Sequence, residues 1–155
     1  MDFSLSLPIR YDDCDPYGHV NHASYLRYML EAAFAASAAV GYPMQRYWEM
    51  NRAWFVRDTE IAYLAPLRYG DTVAIRTWVL DFRRVRSRRG YELRRADDGT
   101  VVAEGSTDWV FIDRESRRPA SVPGDMVAAF LPDGPRPDIP PREPFPEPPP
   151  PSPGA

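Results

Sequence analysis

The sequence of 155 residues predicts an α+β domain in which an antiparallel, curved sheet of about five strands wraps around one long central helix. Three observations carry this. Residues 23–40 are apolar on most of a helical circumference. Residues 53–64, 72–82, 86–95 and 101–112 are strand-length runs rich in Val, Ile, Trp, Tyr and Thr. Gly70-Asp71, residues 83–85 and Asp97-Asp98-Gly99 separate those runs as hairpin signals, which imply antiparallel neighbours.

The elements follow in order. Phe3, Leu5, Leu7, Ile9 and Tyr11 alternate with polar residues, the period of a half-buried strand, and residues 12–18 break the pattern. Asn21 is a good N-cap for the long helix, whose apolar positions include Ala23, Tyr25, Leu26, Tyr28, Met29, Leu30 and Phe34. Gly41-Tyr42-Pro43 ends it. Only Ser24, Arg27 and Glu31 mark a polar face over its first turns, so the helix needs wrapping. Short helices are expected at residues 43–51 and 125–131. The domain is expected to span residues 1–131, because residues 132–155 hold twelve of the eighteen prolines and cannot build a core. That tail is expected to be disordered or polyproline II, either as a solvated extension or as a docking segment for a proline-binding partner.

Composition narrows the class. The length suits one domain, and the single cysteine, Cys14, allows no internal disulfide. No signal-type opening is visible, so a reducing, cytoplasmic setting is expected. Residues 23–40 are barely long enough to span a bilayer and carry Arg27 and Glu31, which favours a buried helix over a membrane span. The formal net charge is only -3, but Arg83, Arg84, Arg86, Arg88, Arg89, Arg94 and Arg95 stand against Glu92 alone in a basic segment of thirteen residues. Every basic residue is Arg, which weakens any inference of phosphate recognition from that residue type. The rest of the body carries compensating acids and no RNA or DNA motif, so no nucleic-acid partner is expected.

Both histidines fall within residues 11–22, together with Asp12, Asp13 and Asp15 and just ahead of the long helix. A carboxylate and an imidazole there can meet a carbonyl held by the helix's unpaired N–H groups. The stretch Asp13-Cys14-Asp15-Pro16, Gly18-His19-Val20-Asn21-His22 and Ala23-Ser24-Tyr25-Leu26-Arg27-Tyr28 resembles the hotdog-fold thioesterases of the 4-hydroxybenzoyl-CoA thioesterase type. The resemblance covers residues 3–131 in element order and is sharpest over this motif. It implies a hotdog fold, and it implies Asp15 as the catalytic carboxylate. Members related to the Tol-Pal-associated acyl-CoA thioesterases add a Tyr and a His, matched here by Tyr11 and His22. The Gly18 to His22 run is close to one found in another branch, so features of two branches mix. Where many relatives carry a pocket carboxylate this chain has Leu30, with Glu31 one residue later.

The resemblance further implies a homodimer or homotetramer built by edge-to-edge sheets, for which the strand 101–112 is the expected open edge. The implied activity is hydrolysis of an acyl-CoA or acyl-carrier-protein thioester. No cofactor is implied beyond the coenzyme A or phosphopantetheine of the substrate itself. Asp15 would attack directly or deprotonate water, while amides of Asn21, His22 and Ala23 at the helix start hold the oxyanion.

Each residue also has a plain structural reading. Asp15-Pro16 opens turns, Asn21 caps, His19 and His22 fill loop and helix start, Tyr11 ends a strand, and Cys14 is a small buried side chain. Asp13, Asp15, His19 and His22 could bind a divalent metal, but no one element aims all four at a point, and no metal site is expected. Tyr25, Tyr28, Phe34, Trp48, Trp54 and Phe55 are candidates for an acyl pocket, or simply core. Arg83, Arg84, Arg86 and Arg88 are either a solvated sheet edge or a landing site for the phosphates of coenzyme A or the acidic face of a carrier protein. A non-catalytic acyl-ligand module and a hydratase of the same fold are the competing functions.

Overall fold

The computed structural model describes residues 2–134, so the expected tail lies outside the described residues from position 135 onward. The elements run β1 (Phe3–Pro8), a single 3-10 turn (Tyr11–Asp13), α1 (His22–Ala39), α2 (Met44–Glu49), β2 (Arg52–Tyr63), β3 (Thr72–Arg83), β4 (Arg86–Arg95), β5 (Val101–Asp113) and α3 (Gly124–Phe130). The five strands form one antiparallel sheet in the order β1-β3-β4-β5-β2.

Alternation decides which face meets the helix. Val73, Ile75, Thr77 and Val79 of β3 and Ser87, Arg89, Tyr91 and Leu93 of β4 are buried, while their neighbours in sequence point to the other face. Against that inner face lies α1, burying Ser24, Tyr25, Tyr28, Met29, Ala32, Ala33, Ala36 and Ser37. Small residues at 32, 33 and 36 let the helix sit close to the sheet. A second cluster, from Tyr42, Tyr47, Phe111, Met126 and Phe130, closes the far end of α1 under α2 and α3. The α1 wrapping is incomplete, since Leu26 and Phe34 remain 42% and 46% exposed.

Four expectations are corrected. Gly70-Asp71 makes a turn but no hairpin, because β2 pairs with β5 and β3 pairs with β1 and β4. The connection closes on itself, with Asp71 accepting the Arg68 N–H (2.8 Å) and Gly70 at φ 92, and Leu67 anchors it in the core. In consequence β5 lies inside the sheet, and the open edges are β1 and β2, not the strand at 101–112. For the same reason the arginine-rich β4 is the middle strand rather than a solvated edge. The first strand stops at Pro8, and Tyr11 belongs to the turn, 81% exposed and edge-on to Tyr69 at 5.8 Å.

On the outer face, Trp78 of β3 lies directly over Gly90, its cross-strand partner in β4. A Cβ at position 90 would come within 2.7 Å of the indole, so glycine here makes room for the ring. Gly90→Ala is expected to cost about 1–3 kcal/mol through displacement of Trp78. Urea unfolding with an unchanged midpoint would contradict this.

Candidate active site

The loop between β1 and α1 is a short antiparallel ladder. Asn21 N–H donates to the Asp13 carbonyl (2.8 Å), Cys14 pairs with Val20, and Asp15 N–H donates to the His19 carbonyl (2.7 Å). Gly18 closes the tip at φ 78, a conformation glycine takes without strain. Val20 N–H donates to the Leu67 carbonyl (2.8 Å) and His19 pairs with Arg68, so the β2–β3 connection holds the ladder from below.

At the end of the ladder, Asp15 turns its carboxylate back on the loop. Its Oδ1 accepts N–H groups of Tyr17 (2.9 Å) and His19 (3.1 Å), while Oδ2 meets no protein donor among the described residues. Asn21 caps α1 as expected, its Oδ1 accepting Ser24 N–H (3.0 Å) and its Nδ2 donating to the Asp13 carbonyl (2.8 Å). Asn21's own amide is therefore committed. The N–H groups of His22 and Ala23 find no acceptor among the described residues, and both residues are exposed. The His22 ring stacks on Tyr63 at 4.5 Å, and the Tyr63 hydroxyl donates to the His22 carbonyl (3.2 Å). Tyr63 thus fixes the helix start from β2. A carboxylate with one oxygen held, and two unpaired amides at the helix start that the same loop leads into, are the two components that acyl transfer uses.

The second carboxylate of the motif, Asp13, is in a different situation. It is buried and accepts hydrogen bonds from the Tyr28 hydroxyl (2.8 Å), the Arg10 N–H (3.1 Å), the Ser24 hydroxyl (3.3 Å) and the Arg27 guanidinium. Burial alone would raise its pKa. The bonds from Tyr28, Arg10 and Arg27 outweigh that and hold it below the ordinary value of 3.8. Burial, then the bond to Asp13, pushes the Tyr28 hydroxyl well above its usual range. Arg27 also pairs with Glu31 (2.9 Å), so Ser24, Arg27 and Glu31, the polar positions of the first turns, join one network that ends at Asp13.

The remaining candidates divide. Tyr25 and Tyr28 are core, Phe34 and Trp54 border a cavity, and Trp48 and Phe55 are exposed. Cys14 is half-buried, its Sγ 3.8 Å from the Arg10 carbonyl. Arg83 pairs with Asp81 and Asp108 (both 3.3 Å) and Arg88 with Glu60 (4.0 Å), so carboxylates on adjacent strands offset the basic segment. Arg84 and Arg86 form no ion pair among the described residues. In one protomer these arginines and Asp15 are not brought together, because β3 separates them by roughly 36 Å of extended backbone. Among the described residues no three His, Cys, Asp or Glu side chains converge as a metal-holding group, and no helix is long and apolar enough to cross a membrane.

Residue-type reasoning weighed Asp13 only as a metal ligand and Arg89 only as part of the basic segment, and it did not pick out Tyr63. Ser24, Arg27 and Tyr28, at helical spacings of three and four, were the available sign of a buried acceptor. Tyr91 and Leu93, on the same face of β4, were the sign that Arg89 points inward.

A helix cradled by one face of a five-stranded sheet, with a carboxylate-bearing loop at its start, defines the hotdog class. The chain belongs to the thioesterase-like superfamily, whose family profile matches residues 9–130. YneP of Bacillus subtilis strain 168, provisionally named an acyl-CoA thioesterase, is 28% identical over 116 residues, 73% of this chain and 81% of its own. The acyl-CoA thioester hydrolase YbgC of Escherichia coli O157:H7 is 27% identical over 128 residues, covering 83% and 95%. In fold, the chain is similar to the crystal structure of Slr0204, a 1,4-dihydroxy-2-naphthoyl-CoA thioesterase from Synechocystis. The TM-score is 0.78 at 20% identity, over 84% of this chain and 96% of that one.

Because the folded pKa of Asp13 lies below 3.8, its contribution to stability is complete above that value and lost as pH falls through the lower folded pKa. Asp13→Asn is expected to cost about 2 kcal/mol at neutral pH and to flatten the acid limb of stability below about pH 4. Denaturant unfolding across that range checks both, and an unchanged acid limb would remove Asp13 from its structural role.

Proposed function

We propose that this protein is a thioesterase that hydrolyses an acyl-CoA thioester, with Asp15 as its catalytic carboxylate. The observation that carries this is the asymmetry of Asp15, one oxygen held by two backbone amides and the other unpaired, on the loop that leads into the unpartnered N–H groups of His22 and Ala23. Membership of the thioesterase-like superfamily and the acyl-CoA names of YneP and YbgC support the same reading.

In this reading the substrate carbonyl oxygen accepts from the His22 and Ala23 amides at the positive end of α1, which stabilises the oxyanion as it forms. Asp15 Oδ2 then either attacks the carbonyl carbon or takes a proton from an attacking water. Attack expels the thiolate and leaves a mixed anhydride for water to cleave; proton abstraction gives the acid and the thiol directly. A thiol pKa of about 8.5 makes the leaving group good enough without a strong general acid. His22, stacked on Tyr63, serves by presenting its amide. Tyr11, 81% exposed and edge-on to Tyr69, takes no step in this reading.

The acyl group's carrier is coenzyme A, and the assembly is a homo-oligomer through β2. That strand is a long open edge with Phe55 57%, Val56 38% and Tyr63 44% exposed. Antiparallel two-fold pairing of β2 with its copy sets the Arg52 end of one strand beside the Tyr63 end of the other. The partner's β3–β4 tip then approaches this protomer's Asp15, which gives Arg84 and Arg86 a route to the phosphates of coenzyme A.

Asp15→Asn is expected to lower turnover of acyl-CoA substrates by at least about 100-fold while substrate binding is kept. Thiol release together with equilibrium binding reads this, and undiminished hydrolysis by the variant would favour the non-catalytic binding module. Phe55→Arg is expected to convert an assembly that is a multiple of 17.7 kDa into monomer on sedimentation. A wild-type monomer would overturn the edge pairing.

A further inference from the structure

Arg89 is the one charged side chain of β4 that faces the core, and it is only 7% exposed. Its position follows from the two-residue period, since Ser87, Tyr91 and Leu93 share its face. A guanidinium has five N–H donors, and an uncompensated one inside a protein is costly. Here Nη1 donates to the Thr77 hydroxyl (3.2 Å), the Phe130 ring lies 5.7 Å away, and no carboxylate of the described residues lies within ion-pair distance. Asp2, which lines a neighbouring space together with Arg89, pairs with Arg76 at 3.5 Å. Burial pushes the guanidinium pKa below its ordinary value, with Tyr91 and Tyr47 opposing that drop.

No buried side-chain nitrogen or oxygen among the described residues lacks a partner, so the remaining Arg89 donors keep access to open space. That space includes a cavity of about 130 Å³ between α1, α2 and the sheet, walled by Phe34, Trp54, Phe82 and Trp109. Phe34 and Met44, 46% and 48% exposed, bound its mouth. A cavity of roughly 150 Å³ holds one benzene ring, so this one suits a single ring or a chain of about six carbons. Its walls are mostly apolar, with Ser37, Tyr47 and Ser87 among them, and Arg89 is the one charged side chain that lines it, a forked donor that matches a carboxylate in geometry and charge.

We propose that this cavity is a binding site for a carboxylate-bearing molecule of one-ring size, its acid group on Arg89 and its apolar body against Trp54, Phe82 and Trp109. The site depends on neither the chemistry of Asp15 nor the pairing of β2. Its occupant is either a free carboxylic acid or the far end of an acyl chain that carries a second carboxylate. In the two-fold assembly the latter is within reach, since residues 53 and 54 of a partner, at the rim of its cavity, would face Tyr63 and the helix start.

Calorimetric titration of the full-length wild-type protein with benzoate and with benzyl alcohol tests the site directly. Benzoate is expected to bind about tenfold tighter or better, through charge-assisted hydrogen bonds. Arg89→Met is expected to remove that preference and Arg89→Lys to restore part of it. Equal wild-type affinity for the two probes, or benzoate binding that survives in a folded Arg89→Met, would overturn the proposal. The wild-type comparison decides even if the Met variant does not fold. Hydrolysis of adipoyl-CoA against hexanoyl-CoA then separates the sources: a preference for adipoyl-CoA assigns the site to the acyl chain, and equal rates with benzoate binding assign it to a free acid. Hydrolysis of neither, with benzoate bound, would sink the thioesterase reading and leave this site standing.

Discussion

The carboxylate of Asp13 is the constraint on which the rest of the site depends. One buried anion takes hydrogen bonds from a backbone amide in the entering loop and from three side chains on successive turns of α1. The loop can therefore sit in one place relative to the helix. Because Asn21 binds the carbonyl of the same residue with both its amide and its side chain, the helix start and the cap are fixed by the same anchor. Asp15, two residues on, inherits that placement. The two acids differ because the donors around Asp13 leave none of its capacity for a substrate, whereas the turn around Asp15 satisfies only one oxygen. Identical side chains in one short motif are thus left with different capacities for a further hydrogen bond by their neighbours.

Much of the architecture could be read from the chain, and the reasons are local. Helix α1 follows from its apolar run and the Asn21 cap, and the two true hairpins follow from residues 83–85 and from Asp97-Asp98-Gly99, where the turn is the whole connection. The error over Gly70-Asp71 has the same origin. A turn motif reports how the backbone bends at that place and says nothing about which strand receives it. The crossover from β2 to β3 is set by what β5 offers to β2, more than forty residues later. With that register unknown, the edges of the sheet were misplaced.

The candidate site was legible in composition but less so in role. The cap at Asn21 and the unpaired amides of His22 and Ala23 follow from the motif, because the loop is short and closes on itself. Tyr11 falls in a turn because the first strand stops at Pro8, and the Asp13 cluster was hidden because its side-chain partners lie eleven to fifteen residues away along a helix. The arginine segment misled in the opposite direction. Read as a line it is strongly basic; read across the sheet, Asp81, Asp108 and Glu60 stand beside Arg83 and Arg88, while the inward member, Arg89, has no acid among the described residues. Charge in a sheet is a two-dimensional pattern, and the sequence displays one dimension of it.

The strand order has a consequence for how the chain reaches this state. Neither edge strand pairs with a neighbour in sequence: β1 waits for β3, and β2 waits for β5. During synthesis the β3–β4 hairpin is the first ladder whose both halves are adjacent, while twelve residues of β2, rich in exposed aromatic and branched groups, have been made earlier and have nothing to join. Closing such distant contacts is entropically slow, and a nascent chain carries that unpaired ribbon until residues 101–113 leave the ribosome. The segment most available for association in the finished protein is also the one most in need of shelter while the protein is being made.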